Sequence, residues 1–408
     1  MERLHIAFFG PTNSGKSTLV NAIAGQPVSL VSDIPGTTTD PVRKPIEIPG
    51  LGPCVLIDTA GLDDTGVLGA ERQRLTRAIL DEADIAVLLP MAQNDGHWEQ
   101  KGAQNAPNGH DFGTLAAAAG IPVIEYTRGE SVESLIRRIR AARPDEEEAF
   151  LTGDLVQAGD TVLLVMPQDS EAQKGRSILP QVQVLRELLD RGCNALCCTP
   201  DTLPAALGGL KKTPDLVITD ASVFQAVNRM LPPETPLTAF SILLAAVKGD
   251  VATFLEGARA IDRLKPGDRV LIAEACTHVP DTEDIGRVKI PALLRKKFEM
   301  PGQAGHDGES QAGHDGESQA GHDGESQAGH DVIIDIAAGN DFPEDLSAYH
   351  LIIHCGACVA SRQRVRSRIR KALLAGVPIT NYGIALAKLQ GILDRVSIPG
   401  LRPRRQSS

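Results

Sequence analysis

The segment that most constrains this chain lies near its amino terminus, where Gly10 to Ser17 reads GPTNSGKS. It fits the pattern G-x-x-x-x-G-K-[ST] and stands between an apolar, strand-like segment and a helix-like one. In such a loop, glycines let backbone N–H groups surround phosphates, the lysine reaches the β and γ oxygens, and the last hydroxyl binds magnesium. The sequence therefore predicts an α/β domain with a mostly parallel sheet. The predicted nucleotide-binding residues are Gly10, Asn13, Ser14, Gly15, Lys16, Ser17 and Thr18.

Two further motifs complete a predicted triphosphate site. Asp58 to Gly61 (DTAG) ends an apolar strand, where the carboxylate would hold magnesium and Gly61 would turn toward the γ-phosphate. Between the motifs, residues 33–40 form a polar loop of the kind that orders around magnesium and the γ-phosphate, with Thr38 as the metal ligand. The predicted hydrolytic set is Lys16, Thr38, Asp58 and Gly61, and the predicted magnesium ligands are Ser17, Thr38 and Asp58.

These motifs resemble those of the Era and MnmE branch of translation-factor-like GTPases, whose switch pattern P-G-x-T-x-D matches Pro35 to Asp40. The resemblance implies GTP as the nucleotide and a potassium ion at Asn13. Leu62 stands where Ras-like proteins carry a water-positioning glutamine, so we expect slow hydrolysis that serves as a switch. The family's guanine-reading motif N-K-x-D is absent from the sequence, and Asp95 is a candidate substitute. Guanine specificity therefore comes from the resemblance alone.

Length and segment alternation indicate three α/β domains. The 408 residues exceed the usual size of one domain, and we place the domains at 1–143, 150–265 and 266–408. A net charge of -11 disfavours nucleic acid as a partner. No apolar run approaches the about 18–20 residues of a membrane span, and no secretory leader pattern opens the chain. We therefore expect a cytoplasmic protein without membrane contact.

Residues 303–331 hold an octapeptide repeat, QAGHDGES, in three full copies and one partial copy. The repeat has no apolar face at either the helical or the strand period, so we expect a disordered insert in the third domain. Its histidines are possible metal ligands, but a tolerated duplication is the simpler interpretation.

The seven cysteines divide into two groups. Four are interpreted as buried core residues, namely Cys54, Cys193, Cys197 and Cys198. The others follow predicted strands together with histidines, and in an open parallel sheet such groups gather at one edge. This second set consists of Cys276, His278, His354, Cys355 and Cys358. Their chemistry suits structural zinc and an iron-sulfur cluster equally well, while a metal-free CxxC redox pair and isolated core residues are weaker alternatives.

The pattern C-x-H followed at long spacing by H-C-x-x-C, behind a GTPase domain and a middle α/β domain, resembles the HydF family of FeFe-hydrogenase maturation GTPases. Segments similar to that family are 174–183, 261–269, 284–291 and 379–383. Between His278 and His354 lie 75 residues, more than the family's usual interval, and the repeat accounts for 24 of them.

The resemblance implies a 4Fe-4S cluster on Cys276, Cys355 and Cys358, with His278 or His354 as a labile fourth ligand or a neighbour. It also implies a homodimer or larger assembly formed through the middle domain, and FeFe-hydrogenase and its radical-SAM maturases as partners. The expected function is a scaffold that delivers the diiron subcluster precursor. One alternative is an Era-like nucleotide switch with structural zinc that acts in RNA or ribosome assembly. Another is a scaffold whose nucleotide domain is inactive.

Overall fold

The computed structural model describes residues 3–25, 41–60, 69–90, 109–143, 150–167, 179–275, 284–298 and 331–401. Strands and helices alternate along the chain and the sheets are mostly parallel, which confirms the α/β prediction. The chain divides into two compact units. The first unit comprises Met1–Phe150, Val247–Asp250 and Ala357–Lys371, and the second comprises Leu151–Ala246, Val251–Gly356 and Ala372–Ser408. The three predicted domain boundaries stay predictions.

The described residues contain thirteen strands. In chain order they are β1 (Leu4–Phe9), β2 (Val42–Ile48), β3 (Gly52–Asp58), β4 (Ile85–Leu88), β5 (Val123–Glu125), β6 (Thr161–Val165), β7 (Asn194–Cys198), β8 (Leu216–Thr219), β9 (Leu237–Ala239), β10 (Arg269–Ala273), β11 (Ile333–Ala337), β12 (Leu351–His354) and β13 (Ile379–Asn381).

The helices fill the intervals between strands. In chain order they are α1 (Lys16–Ala24), α2 (Gly69–Glu82), α3 (Gly109–Ala119), α4 (Val132–Ala142), α5 (Leu179–Asp190), α6 (Leu203–Gly208), α7 (Phe224–Met230), α8 (Phe240–Lys248), α9 (Val251–Arg263), α10 (Ile290–Phe298), α11 (Arg362–Leu374) and α12 (Tyr382–Leu389), with a π-helical turn at Ile285–Lys289. Within the described ranges, no helix is both long and apolar enough to cross a membrane.

The sheet of the first unit runs in the order β2-β3-β1-β4-β5 over the described residues. Its neighbours are parallel except for β2 and β3, which are antiparallel. The central strand β1 is apolar on both faces because helices cover both. Phe8 belongs to the core on the face where Leu135 of α4 packs, whereas Phe9 belongs to the core on the opposite face, with its ring centroid 4.8 Å from that of Phe112 in α3.

The second unit contains two parallel sheets, ordered β7-β6-β8-β9 and β11-β10-β12-β13 in the part of the chain that the structure describes. Helix α9 lies directly against β13 through a helical glycine. A Cβ added at Gly257 would lie 1.9 Å from the Ile379 carbonyl oxygen, so only glycine permits this approach. The close packing fixes the position of β13, which leads into α12.

The interpretation of four cysteines as core residues is correct in part. Cys54 and Cys193 are buried, and burial raises the pKa of the Cys54 thiol to about 11. Cys197 is exposed, so the core interpretation is wrong for it, and Cys198 is only half-buried. The reason is that β7 lies at the edge of its sheet, a position that an apolar run does not distinguish from a central strand.

Candidate nucleotide and cluster sites

The predicted phosphate loop connects β1 to α1 and bends sharply. Asn13 and Gly15 adopt left-handed conformations, with φ of 60° and 94°. A side chain at Gly10 would be crowded, because an added Cβ would lie 2.8 Å from the Leu89 carbonyl oxygen. The loop therefore requires glycine at its first position and tolerates a polar residue such as asparagine at the left-handed turn.

Lys16 begins α1 and is 7% exposed. Its Nζ donates hydrogen bonds to the carbonyl oxygens of Gly10 at 3.0 Å and Pro11 at 2.7 Å, so the ammonium lies across the loop. Ser17 and Thr18 follow in the first turn of the helix, whose N–H groups have no partner within the helix. The loop thus combines a lysine charge with the positive end of a helix, as anion binding requires.

Asp58 ends β3 and is 1% exposed. Both of its carboxylate oxygens are buried, and neither has a hydrogen-bond partner in the described ranges. The adjacent turn is held by the Thr59 hydroxyl, which donates to the Phe8 carbonyl oxygen at 2.7 Å. A buried carboxylate without partners is unfavourable unless a cation neutralises it. Asp58 therefore fits a divalent cation, and oxygen ligands are those that magnesium prefers.

Several predicted residues lie outside the described ranges. They are Thr38 in 26–40, Gly61 and Leu62 in 61–68, and Asp95 in 91–108. The same holds for the repeat at 303–330 and for Cys276 and His278 in 276–283.

The predicted cluster residues of the second unit follow two strands of one sheet. The register pairs Ala273 of β10 with His354 of β12, and His354 with Asn381 of β13. The three strands are parallel, so they end at the same edge of the sheet. Cys355 follows β12 directly, and the segment that leads to Cys276 follows β10.

Cys355 is held at this edge by two backbone bonds. Its N–H donates to the Ala273 carbonyl oxygen at 2.9 Å, and its Sγ accepts the N–H of Ala275 at 3.1 Å. An N–H group that points at sulfur favours the thiolate form. His354 is 1% exposed, and its Nδ1 lies 2.8 Å from the Cys355 carbonyl oxygen. The sulfur and the ring are therefore both fixed by the backbone of the strand ends.

Cys358 belongs to the first unit and is half-buried. The peptide groups around it are bound by Lys248, a buried lysine at the end of α8. The Lys248 Nζ donates to the carbonyl oxygens of Ala357 at 2.8 Å and Ala360 at 2.8 Å, and approaches that of Cys358 at 3.4 Å. Ala357 has a left-handed φ of 51°, which is unusual for a residue with a Cβ. The lysine therefore stabilises a strained turn beside the cysteine.

Among the described residues, no group of three or more His, Cys, Asp or Glu side chains is arranged to hold a metal ion. This result concerns only part of the predicted set, because Cys276 and His278 lie outside those residues.

Sequence reasoning missed a polar cluster in the first unit around Glu82, the last residue of α2. Arg43 of β2 approaches the Glu82 Oε2 at 2.9 Å, and Arg364 of α11 approaches the same oxygen at 2.8 Å. The Ser361 hydroxyl donates to the Glu82 carbonyl oxygen at 2.9 Å. Burial raises the pKa of Glu82, but the hydrogen bond from Arg43 and the charges of both arginines outweigh it, so the net shift is downward. No local motif predicts this cluster, because its members come from distant parts of the chain.

Helices α2 and α3 also contact α11 through other side chains. The Ser367 hydroxyl donates to the Asp81 carboxylate at 2.5 Å, and the Lys371 ammonium pairs with the same carboxylate. The Gln363 amide donates to the Ala119 carbonyl oxygen at 2.7 Å. The helix that follows the C-x-x-C segment is therefore fixed to the GTPase part of the first unit. It begins at Arg362, four residues after Cys358.

The phosphate loop, the buried carboxylate at the end of β3 and the parallel sheet define a P-loop GTPase domain, which is followed by two further α/β sheets. Family models identify the segments in turn. The 50S ribosome-binding GTPase family matches residues 5–110, the Hydrogen maturase F dimerization domain matches 151–249, and the Hydrogen maturase F tetramerization domain matches 252–317 and 310–399. The chain therefore belongs to the hydrogen maturase F family, HydF, of hydrogenase maturation GTPases.

Similar proteins match mainly through the GTPase domain. The tRNA modification GTPase MnmE of Methylobacterium sp. (strain 4-46) is 37% identical over 149 residues, which are 35% of this chain and 34% of that protein. The same enzyme of Nitrosomonas europaea is 46% identical over 90 residues, 22% of this chain and 20% of that protein. This chain thus spans about a third or less of these relatives. Among solved structures, Aquifex aeolicus Era bound to GDP and aluminium fluoride aligns with 49% of this chain and 93% of its own, at 18% identity and a TM-score of 0.26.

The matches support two general properties. The GTPase domain supports binding of GTP with Mg²⁺, and the dimerization and tetramerization domains support a homo-oligomer.

Proposed function

We propose that this chain is a cytoplasmic, GTP-binding scaffold that carries a 4Fe-4S cluster and delivers the diiron subcluster precursor to FeFe-hydrogenase. Its partners are the hydrogenase and the radical-SAM maturases, with neither nucleic acid nor membrane involved. The observation that carries the proposal is Cys355, whose sulfur lies at the carboxyl edge of a parallel sheet and accepts the Ala275 N–H at 3.1 Å. This sheet lies in the region that matches a hydrogen maturase F domain.

The proposed cluster ligands are Cys276, Cys355 and Cys358, with His278 or His354 at or beside the fourth iron. The residues suit a cluster because thiolates are its usual ligands, and a backbone N–H that points at Cys355 Sγ stabilises negative sulfur. Once bound, the cluster supplies an iron site to which a cargo attaches. An exchangeable fourth ligand suits a scaffold, since a carrier must release what it holds.

The proposed nucleotide site uses the phosphate loop, with Lys16 on the β and γ phosphates and Asn13 beside a potassium ion. Ser17, Thr38 and Asp58 hold magnesium, and Gly61 contacts the γ-phosphate. The support is the unpartnered, buried Asp58 carboxylate and the lysine that lies across the loop. Hydrolysis is slow and resets the protein after each nucleotide-dependent step.

Within the first unit, Glu82 connects the nucleotide-sensing segments to the helix that follows Cys358. Helix α2 follows the DTAG motif and ends at Glu82, and β2, which carries Arg43, follows the Thr38 loop. The elements that follow the two nucleotide-sensing segments therefore meet at the Glu82 carboxylate. That carboxylate also pairs with Arg364, which lies six residues after Cys358 in the sequence. A nucleotide-dependent shift of α2 would be transmitted to α11 and to the peptide groups that Lys248 binds.

A maturation assay tests the proposal. Purified, iron-reconstituted protein would be mixed with the radical-SAM maturases, their substrates, GTP and apo-hydrogenase, and hydrogen production would be measured. We expect activation by the wild type, and loss of activation by Cys355→Ser and by Lys16→Ala. Cys54→Ser is the matched control, since Cys54 is buried in a different sheet. Full activation by Cys355→Ser would refute the carrier function.

A further inference from the structure

The carboxyl edge of the β10–β12–β13 sheet contains a polar group that the proposed function does not use. Tyr382 begins α12, directly after β13, and is 8% exposed. Its hydroxyl oxygen is buried and has no hydrogen-bond partner among the described residues. A buried hydroxyl of this kind is unfavourable in a folded protein. It is tolerated where a bound group completes the hydrogen bonding.

The π-helical turn at Ile285–Lys289 places a glycine against this hydroxyl. A Cβ added at Gly286 would lie 2.0 Å from the Tyr382 hydroxyl oxygen and 3.1 Å from the Glu274 Oε1. Any other residue at this position would therefore displace the tyrosine. π-helical turns are rare and often occur at functional sites, and this one lies in the segment 284–291 that the sequence analysis singled out.

An ion pair between a buried carboxylate and a partly exposed arginine fixes the surroundings of the tyrosine. Glu274 is 1% exposed, and Arg287 of the π-helical turn binds its carboxylate at 2.9 Å and 3.3 Å. The Asp284 side chain accepts the Arg287 N–H at 2.8 Å and so holds the start of the turn. Among the described residues the Tyr382 hydroxyl donates to neither of these carboxylates, so it is available as a donor toward the cysteine.

Tyr382 also lies near the proposed cluster ligand. Cys355 follows β12, and Tyr382 follows the neighbouring strand β13 at the same edge of the sheet. Burial raises the pKa of the Tyr382 hydroxyl, and the negative charge of the Cys355 thiolate is the next largest cause. The register of the two strands, which pairs His354 with Asn381, sets Cys355 and Tyr382 side by side at this edge. At pH 7 the phenol is protonated and can donate.

We propose that Tyr382 is a positioning residue of the cluster site, whose hydroxyl donates a hydrogen bond to the Cys355 sulfur when that sulfur carries iron. The Glu274–Arg287 pair and Gly286 hold the phenol in place for this bond. The inference rests on the proposed function, since it requires a cluster at Cys355. A hydrogen bond to a cluster sulfur raises the reduction potential, because it stabilises the more negative, reduced state.

The test compares Tyr382→Phe with Tyr349→Phe in the full, iron-reconstituted chain. Tyr349 is a matched control, because it precedes β12 at the opposite end of the strand and its hydroxyl binds Asp335. The midpoint potential of the cluster would be measured by redox titration with electron paramagnetic resonance, and iron loss by its transfer to a chelator. We expect a more negative potential and several-fold faster iron loss for Tyr382→Phe, and wild-type values for Tyr349→Phe.

A second pair of measurements separates positioning from a purely structural role. The cluster-free Tyr382→Phe protein is expected to unfold at the wild-type temperature or above, since the substitution removes an unpartnered hydroxyl. Gly286→Ala, which keeps the tyrosine but displaces it, is expected to shift the potential in the same direction. Wild-type potential and iron loss in Tyr382→Phe would overturn the inference while leaving the scaffold function intact. Failure of the wild-type protein to take up a cluster would overturn both.

Discussion

Replacing Glu82 by glutamine should loosen the end of α2 and the start of α11 together. The amide keeps the shape of the side chain but removes the charge that attracts Arg43 and Arg364. The Ser361 bond to the backbone of residue 82 is retained. The substitution therefore isolates the contribution of the carboxylate to the stability of the first unit.

The size of the expected loss of stability follows from how exposed the Arg364–Glu82 and Arg43–Glu82 ion pairs are. The Arg364 and Glu82 side chains are 15% and 11% exposed, so their bond counts as a buried hydrogen bond between charged groups, worth about 1.5–3 kcal/mol. The Arg43 side chain is 39% exposed, so its pair with Glu82 is worth about 0.2–1 kcal/mol. We expect Glu82→Gln to lower the free energy of unfolding of the first unit by about 2–4 kcal/mol.

Hydrogen exchange measured by mass spectrometry would localise the effect. We expect faster exchange in 74–82 and in 362–371, with little change in α5 of the second unit. Glu47→Gln is the matched control, because Glu47 is an exposed carboxylate on β2, the strand that carries Arg43. Faster exchange in α2 without any change in α11 would refute the reasoning that Glu82 joins the two helices.

Four further predictions follow from single contacts. The stability difference between wild type and Glu82→Gln should be full at neutral pH. It should begin to shrink below about 4.5, the ordinary pKa of a glutamate, and be lost as the pH falls through the lower folded-state pKa of Glu82, since protonation there removes the carboxylate; urea titrations from pH 3 to 7 would show this decline. Asp58→Asn should leave the nucleotide-free protein at least as stable as wild type, but should abolish the stabilisation by Mg·GTP, which is about 2.7 kcal/mol at 100 times Kd, in a thermal shift assay. Gly257→Ala should cost about 1–3 kcal/mol in denaturant unfolding, since its Cβ would meet the Ile379 carbonyl oxygen. Lys248→Met should speed hydrogen exchange at 357–361, because it removes charged hydrogen bonds to the Ala357 and Ala360 carbonyl oxygens that stabilise this segment by about 1.5–3 kcal/mol.

Local patterns predicted the elements that carry the nucleotide site. The G-x-x-x-x-G-K-S pattern between an apolar run and a helical run located β1, the loop and α1, because each of these elements depends on neighbouring residues. The position of the carboxyl ends of β10 and β12 at one sheet edge followed from the parallel topology that apolar runs indicate. Neither prediction required knowledge of distant contacts.

Contacts between distant residues were beyond sequence reasoning. The pairing of Glu82 with Arg364 joins positions 282 residues apart, and a glutamate at a helix end otherwise looks like a solvated charge. The position of Tyr382 beside Gly286 depends on a π-helical turn, which has no sequence pattern of its own. The exposure of Cys197 depends on which strand is at the sheet edge. All three are consequences of tertiary packing.

The central claim is that the second cysteine group, Cys276, Cys355 and Cys358, holds a 4Fe-4S cluster. The most direct measurement is metal analysis and electron paramagnetic resonance of anaerobically purified, iron-reconstituted protein, for wild type and Cys355→Ser. The account predicts about four irons per chain in the wild type, with a cluster signal on reduction that Cys355→Ser loses. Stoichiometric zinc that resists replacement by iron would contradict it and would make the site structural.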